Sequence, residues 1–140
     1  MNKPCKVQCP ACPFRHTALP SYLGDYTPQT VLENLWRNFP FFCHTKIDYR
    51  KPDWEEKAAK NAKLCLGGLT MANKFLAPKR VDAYPESSPD VIAARASVEG
   101  RTDIDCMEVR EFMAWHDPAN SSANIKLMPA MLAKYPRKLA

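Results

Sequence analysis

Glycine is scarce in this chain, with four residues against thirteen prolines in a length of 140. Proline removes a backbone donor and fixes φ, so regular elements should be short, joined by stiff loops, and long sheets are not expected. No stretch approaches the run of about 18 apolar residues that a membrane span needs. The opening MNKPCKVQCPACPF also lacks the apolar core of a secretory signal. A soluble, cytoplasmic protein is the expectation. Internal repeats and low-complexity tracts are absent as well. Near the cysteines there are no paired carboxylates, no nucleophile beside a base and no phosphate-binding glycine loop. The His-x-Glu partner of the zinc deaminases is missing too. These absences favour a non-enzymatic role over an enzyme.

What is present is an ordinary globular balance, 46% apolar and 25% charged, in a chain long enough to bury a core without several disulfides. One domain over 1–140 is expected, with residues 1–76 as a metal-binding core and 77–140 as a helical extension ending in a basic tail. The net charge of +5 favours loose association with an anionic partner such as nucleic acid. The basic residues are nevertheless spread from Lys3 and Lys6 through Lys79 and Arg80 to Arg137 and Lys138. Such scatter reads first as a solvated surface. Six cysteines in a reducing compartment point to metal or redox chemistry rather than disulfides.

The helical pattern is legible in pieces. Residues 1–26 carry cysteines and prolines without helical period and read as an irregular arm. Thr27 caps a helix with Pro28 at its first position, and Val31, Leu32, Leu35, Trp36 and Phe39 recur at helical spacing until Pro40. Phe41, Phe42 and Cys43 suit a buried extended segment. Asp53 can cap a second helix running over 53–76 with Cys65 in its middle, although Gly67 and Gly68 suggest a kink, a break or a close backbone approach there. Ser88 and Pro89 start a helix ending near Gly100. Thr102 caps another that carries Ile104, Val109, Phe112, Met113 and Trp115 to about His116. Residues 117–140 have enough apolar side chains for a docking turn or short helix. The fold class expected is therefore mainly α, with a small α+β arrangement as the alternative, and an irregular cysteine arm that a metal pins to a few short helices.

Cys9-Pro10-Ala11-Cys12 is a Cys-x-x-Cys pair, a spacing that lets two thiolates on one tight turn share a metal at little loop-closure cost. Half a site is made this way, and the remaining ligands must come from elsewhere. Cys43 and Cys65 are the natural candidates, each in an apolar stretch beside a helix. Cys106 reads as a core residue, since a free cysteine behaves as a small hydrophobe. Cys5 with Cys9 and Cys12 repeats the cluster-binding spacing of radical SAM enzymes, but the chain has no room for their partial barrel or glycine-rich cosubstrate segments. Cys5 is then a spare thiol or alternative ligand. His44 follows Cys43 and could ligate or support a ligand, His16 could donate a hydrogen bond to a sulfur, and His116 at a helix end suits the dipole.

The order Cys9-Pro-Ala-Cys12-Pro13-Phe14-Arg15, then Phe41-Phe-Cys43-His44, then Cys65-Leu-Gly67 resembles a family of small, uncharacterised cysteine-rich proteins of phages and bacterial prophages. The resemblance spans roughly residues 9 to 76, with a long polar insertion between His44 and Cys65. It adds Arg15 to the residues beside the site and implies a phage-encoded protein in the host bacterial cytoplasm. It carries no activity with it.

Four thiolates around zinc would make a closed structural centre. A 4Fe-4S cluster is the alternative, since cysteines from separate elements suit it equally. Two functions follow. One is an interaction module acting on a host protein or nucleic acid, to which Phe14, Arg15, Tyr22 and Trp36 could contribute. The other is an iron-sulfur redox sensor or cluster-dependent enzyme. The module is preferred.

Overall fold

The computed structural model describes residues 2–18, 23, 26–43, 50–80, 85 and 87–116, with the side chains of 58–61 excepted. Their secondary structure is mainly helical: α1 (Pro28–Trp36), α2 (Trp54–Asn61), α3 (Leu66–Lys74), α4 (Pro89–Val98) and α5 (Val109–His116). None of these helices is long and apolar enough to cross a membrane. The tail over 117–140, Tyr22 and His44 lie outside the described residues.

α1 begins as its sequence dictates. Thr27 accepts a hydrogen bond from the Thr30 backbone N–H, Pro28 takes the first turn, and Val31, Leu32, Leu35 and Trp36 are buried. Its end comes earlier than the apolar period suggests. Asn38 adopts a φ of 57°, a left-handed conformation asparagine tolerates better than most residues, and turns the chain out of the helix. Phe39 is thereby left 41% exposed.

The single helix expected over 53–76 is two helices with an extended break. Residues 63–65 lie between two other extended segments, so Leu64 is bridged to Pro4 in parallel and to Phe42 antiparallel. Leu64 N donates to Lys3 O at 2.8 Å and Cys5 N to Leu64 O at 3.0 Å. On the other side Cys43 N donates to Lys63 O at 2.9 Å and Cys65 N to Phe41 O at 2.8 Å. A backbone that serves two neighbours in this way cannot also make helical bonds. Cys65 is consequently the N-cap of α3, with extended φ and ψ of −70° and 121°, rather than a mid-helix residue.

A second correction falls on α5. The expected start at Thr102 gives way to Val109, because residues 105–107 pair with the N-terminal arm. Met107 N donates to Phe14 O at 2.8 Å. Gln8 holds Asp105 from both sides, its Nε2 donating to Asp105 O at 2.6 Å and its Oε1 accepting from Asp105 N at 2.7 Å. α4 matches expectation, with Ser88 accepting from Val91 N and Pro89 in the first turn.

α3 packs against both α1 and α4, and α1 also meets α5. The main core runs through Phe14, Leu32, Met71, Phe75, Phe112 and Met113. Phe14 stacks on Phe112 at a 5.0 Å centroid separation and meets Phe41 edge-on at 5.3 Å. The arm is therefore anchored by an aromatic side chain as well as by the bonds of Gln8. A second cluster gathers Leu64, Leu66, Leu69, Val91, Ala94 and Val98 around Cys5 and Cys43.

Arg95 sits fully buried between these layers. Its Nε donates to Asn73 Oδ1 at 2.9 Å, one terminal nitrogen to Asn38 Oδ1 at 2.8 Å, and the other to Ala77 O at 3.0 Å. It also approaches Ala72 O, in the last turn of α3, at 3.4 Å, where helix carbonyls carry partial negative charge, and among the described residues no carboxylate pairs with it directly. Burial still lowers its pKa.

Candidate functional site

Cys9-Pro10-Ala11-Cys12 closes as a tight turn, with Cys12 N donating to Cys9 O at 3.2 Å. Inside it the Ala11 N–H points at Cys9 Sγ, 3.3 Å away. A backbone donor aimed at sulfur fixes where the sulfur points. Arg15 braces the turn from behind, its Nε donating to Cys9 O at 2.9 Å and a terminal nitrogen to Gln8 O at 3.2 Å. Cys9 itself is half-buried and touches both core clusters.

From that turn Cys12 reaches into the core, where its Sγ lies 3.7 Å from Cys65 Sγ. The two sulfurs arrive from different elements, one from the arm and one from the N-cap of α3. Gly67 makes room for them. A Cβ at that position would stand 2.6 Å from Cys12 Sγ and 2.8 Å from Phe14 Cβ, closer than real contacts allow. The sulfurs share a proton unequally. The hydrogen bond from Cys65 is the main cause that lowers Cys12 to a pKa of about 6, with help from Gln8, the Phe14 backbone and the Arg15 charge. Cys65 is raised well above the usual thiol range, first by its bond to Cys12 and then by burial, against the Gly67 and Gly68 backbone donors at the start of α3.

Cys106 is buried beside this pair, on the extended segment before α5 rather than in a helix. Its thiol donates weakly to Gly67 O at 3.6 Å and to Met107 O at 3.4 Å. Burial pushes its pKa up to about 12, so it stays protonated. Cys5 and Cys43 flank Leu64 on the two bridged segments and belong to the second core cluster. Among the described residues no three of His, Cys, Asp and Glu are grouped so as to hold a metal ion. Of the residues the sequence singles out, the structure thus brings Cys12 and Cys65 together, with Cys9 one turn away and Arg15 behind it.

The two described histidines, His16 and His116, are engaged elsewhere. His16 is exposed, with Nδ1 2.5 Å from Asp105 Oδ1 and Nε2 3.4 Å from Glu111 Oε2, so carboxylates and not a sulfur occupy its ring. Its pKa is raised, chiefly by the bond to Asp105. His116 is the last residue of α5, as expected, with its ring buried and its Nε2 donating to Pro13 O at 2.7 Å. Phe14 and Trp36 are buried and offer no surface to a partner.

No protein-family model, curated protein or solved structure matches the chain. The residues of the site must therefore speak for themselves. Sequence reasoning overlooked Gln8, which gives no signal beyond its place beside Cys9.

Proposed function

We propose that the chain is a thiolate metal-binding protein in which Cys9, Cys12, Cys65 and Cys43 hold one ion, zinc in the first instance, and that it serves as a non-enzymatic interaction module. The observation that carries this reading is the 3.7 Å between Cys12 Sγ and Cys65 Sγ. Thiolates bound tetrahedrally to one zinc at about 2.3 Å stand about 3.8 Å apart. The spacing of the pair, read above as a thiol hydrogen bond, is also the spacing that one shared ion would require. A 4Fe-4S cluster gives each cysteine its own iron and would separate them further, which makes zinc the better fit.

The other two thiols are not grouped with this pair among the described residues, so binding would have to draw them in. Cys9, one turn away and oriented by the Ala11 N–H, would be the third ligand. Cys43, whose backbone N donates to Lys63 O, would be the fourth, with Cys5, on the opposite side of Leu64, as the substitute. Bound there, the ion would fasten the arm to α3 and leave no coordination position open for chemistry. Exposed Lys3, Lys6 and Lys63 on the bridged segments give that end of the molecule positive charge for an anionic partner such as nucleic acid. The resemblance to phage and prophage proteins supports a target in the bacterial host, protein or nucleic acid.

Metal content of purified single variants tests the ligand set. Cys12→Ser and Cys65→Ser should each lose the ion, whereas Cys106→Ser should keep it, and Cys43→Ser against Cys5→Ser decides the fourth position. Equal content in all five variants would sink the assignment.

A further inference from the structure

We infer that Cys12 and Cys65 also form a reversible modification site, closing to a disulfide when the protein meets hydrogen peroxide. The sulfurs are 3.7 Å apart although their residues are 53 positions apart in the chain. A disulfide bond is about 2.05 Å long, so the two must approach by about 1.7 Å in total. The absent side chain of Gly67 leaves Cys12 free of a steric stop on that side.

The neighbouring thiols are less well placed for the same partner. Cys106 is turned toward the Gly67 and Met107 carbonyls, Cys9 Sγ is held by Ala11 N, and Cys5 and Cys43 sit in the other cluster. Access is provided by a narrow apolar gap that reaches Cys65 between Leu35, Phe39, Phe41 and Leu69, with room for about one water-sized molecule. A gap of that size turns away a bulky disulfide such as oxidised glutathione, whereas hydrogen peroxide, a two-oxygen molecule somewhat larger than water, needs only a shift of the lining side chains to enter.

The chemistry balances with one peroxide. One sulfur of the pair, as thiolate, attacks a peroxide oxygen, the O–O bond breaks, and a sulfenic acid forms while the departing hydroxide takes a proton to become water. The second sulfur then attacks the first, the S–O bond breaks, and hydroxide again leaves as water with the remaining thiol proton. Two electrons pass from the two sulfurs to the peroxide, and a thiol reductant reverses the change. The disulfide rests on the geometry of the pair and not on a bound ion, although it would remove two of the ligands proposed above.

The test uses the full chain, reduced and then exposed to stoichiometric hydrogen peroxide, followed by alkylation, non-reducing digestion and mass spectrometry, with metal measured on the same samples. The expected product is a peptide linking Cys12 to Cys65, lighter by two hydrogens than its reduced halves and lost on treatment with dithiothreitol. Cys106→Ser should still give that link, and oxidised glutathione should give it more slowly than peroxide. Sulfinic or sulfonic acid at these positions without the link, or equal yields of links to other cysteines, would overturn the inference. Should the serine variants of the pair fail to fold, the map of the unaltered protein decides alone. A link formed by protein that never held metal would count against the metal reading and leave this one standing.

Discussion

At the scale of single residues the two adjacent glycines of α3 make opposite demands. A methyl group at Gly67 would strike Cys12 Sγ and Phe14 Cβ, whereas one at Gly68 would meet Leu35, Phe41 and Phe14 at 3.5 to 3.6 Å, which is ordinary contact. Gly67→Ala should therefore lower stability by about 1–3 kcal/mol through overpacking. Gly68→Ala should instead raise it by up to about 1 kcal/mol, since alanine is the better helix former. Denaturant midpoints of the two variants check the sign. His116 supplies a pH dependence of defined direction. Burial lowers its pKa below the ordinary value of 6.5, so the unfolded chain takes up the proton first. Stability should hold above that value and fall as the pH drops through it, until the folded state also protonates. His16 acts in the opposite sense, because its raised pKa adds stability at low pH, but its exposure keeps that contribution small. Urea midpoints between about pH 7.5 and about pH 5.5 should drop less in His116→Gln than in the unaltered protein.

At the scale of elements, α1 and α4 are readable from their caps and prolines because those signals act within a few residues. The break between α2 and α3 is not, because it is imposed by Lys3 and Phe41, which are distant in sequence from Leu64. The glycine pair hinted at close approach and kept that promise at Gly67, but the chain leaves helical geometry before Cys65 and not after it. α5 starts late for a similar reason, since the arm takes the backbone donors of Asp105 and Met107. What failed at both places is the assumption that local propensity goes unopposed. Arg95 ties α4 to α3 and to the residue that ends α1, through Asn73, Asn38 and the carbonyls beyond α3. Arg95→Met should cost about 3–5 kcal/mol, because several buried polar groups would lose their donor together. A thermal melt beside that of Arg101→Met, at a partly exposed arginine, isolates the effect.

At the scale of the whole molecule, the cysteine arm is built into the core. Phe14 and Cys12 are buried in it, and Gln8 pairs with the segment before α5. The sequence singles out four cysteines, and the fold joins two of them, Cys12 and Cys65. Cys43 could not be placed from sequence because its neighbour across the bridge is set by the turn of Asn38 and the break at Leu64. A core of this kind should persist without a bound ion, with any change on metal removal concentrated at the Cys9–Cys12 turn. Whether these thiols hold a single ion, as proposed, is the point to test first. The most direct measurement is elemental analysis of protein purified without oxygen, with the absorption spectrum recorded on the same sample. One zinc per chain and no visible band is the predicted result. Protein free of metal, or iron accompanied by a brown band near about 400 nm from a thiolate-held cluster, would contradict it.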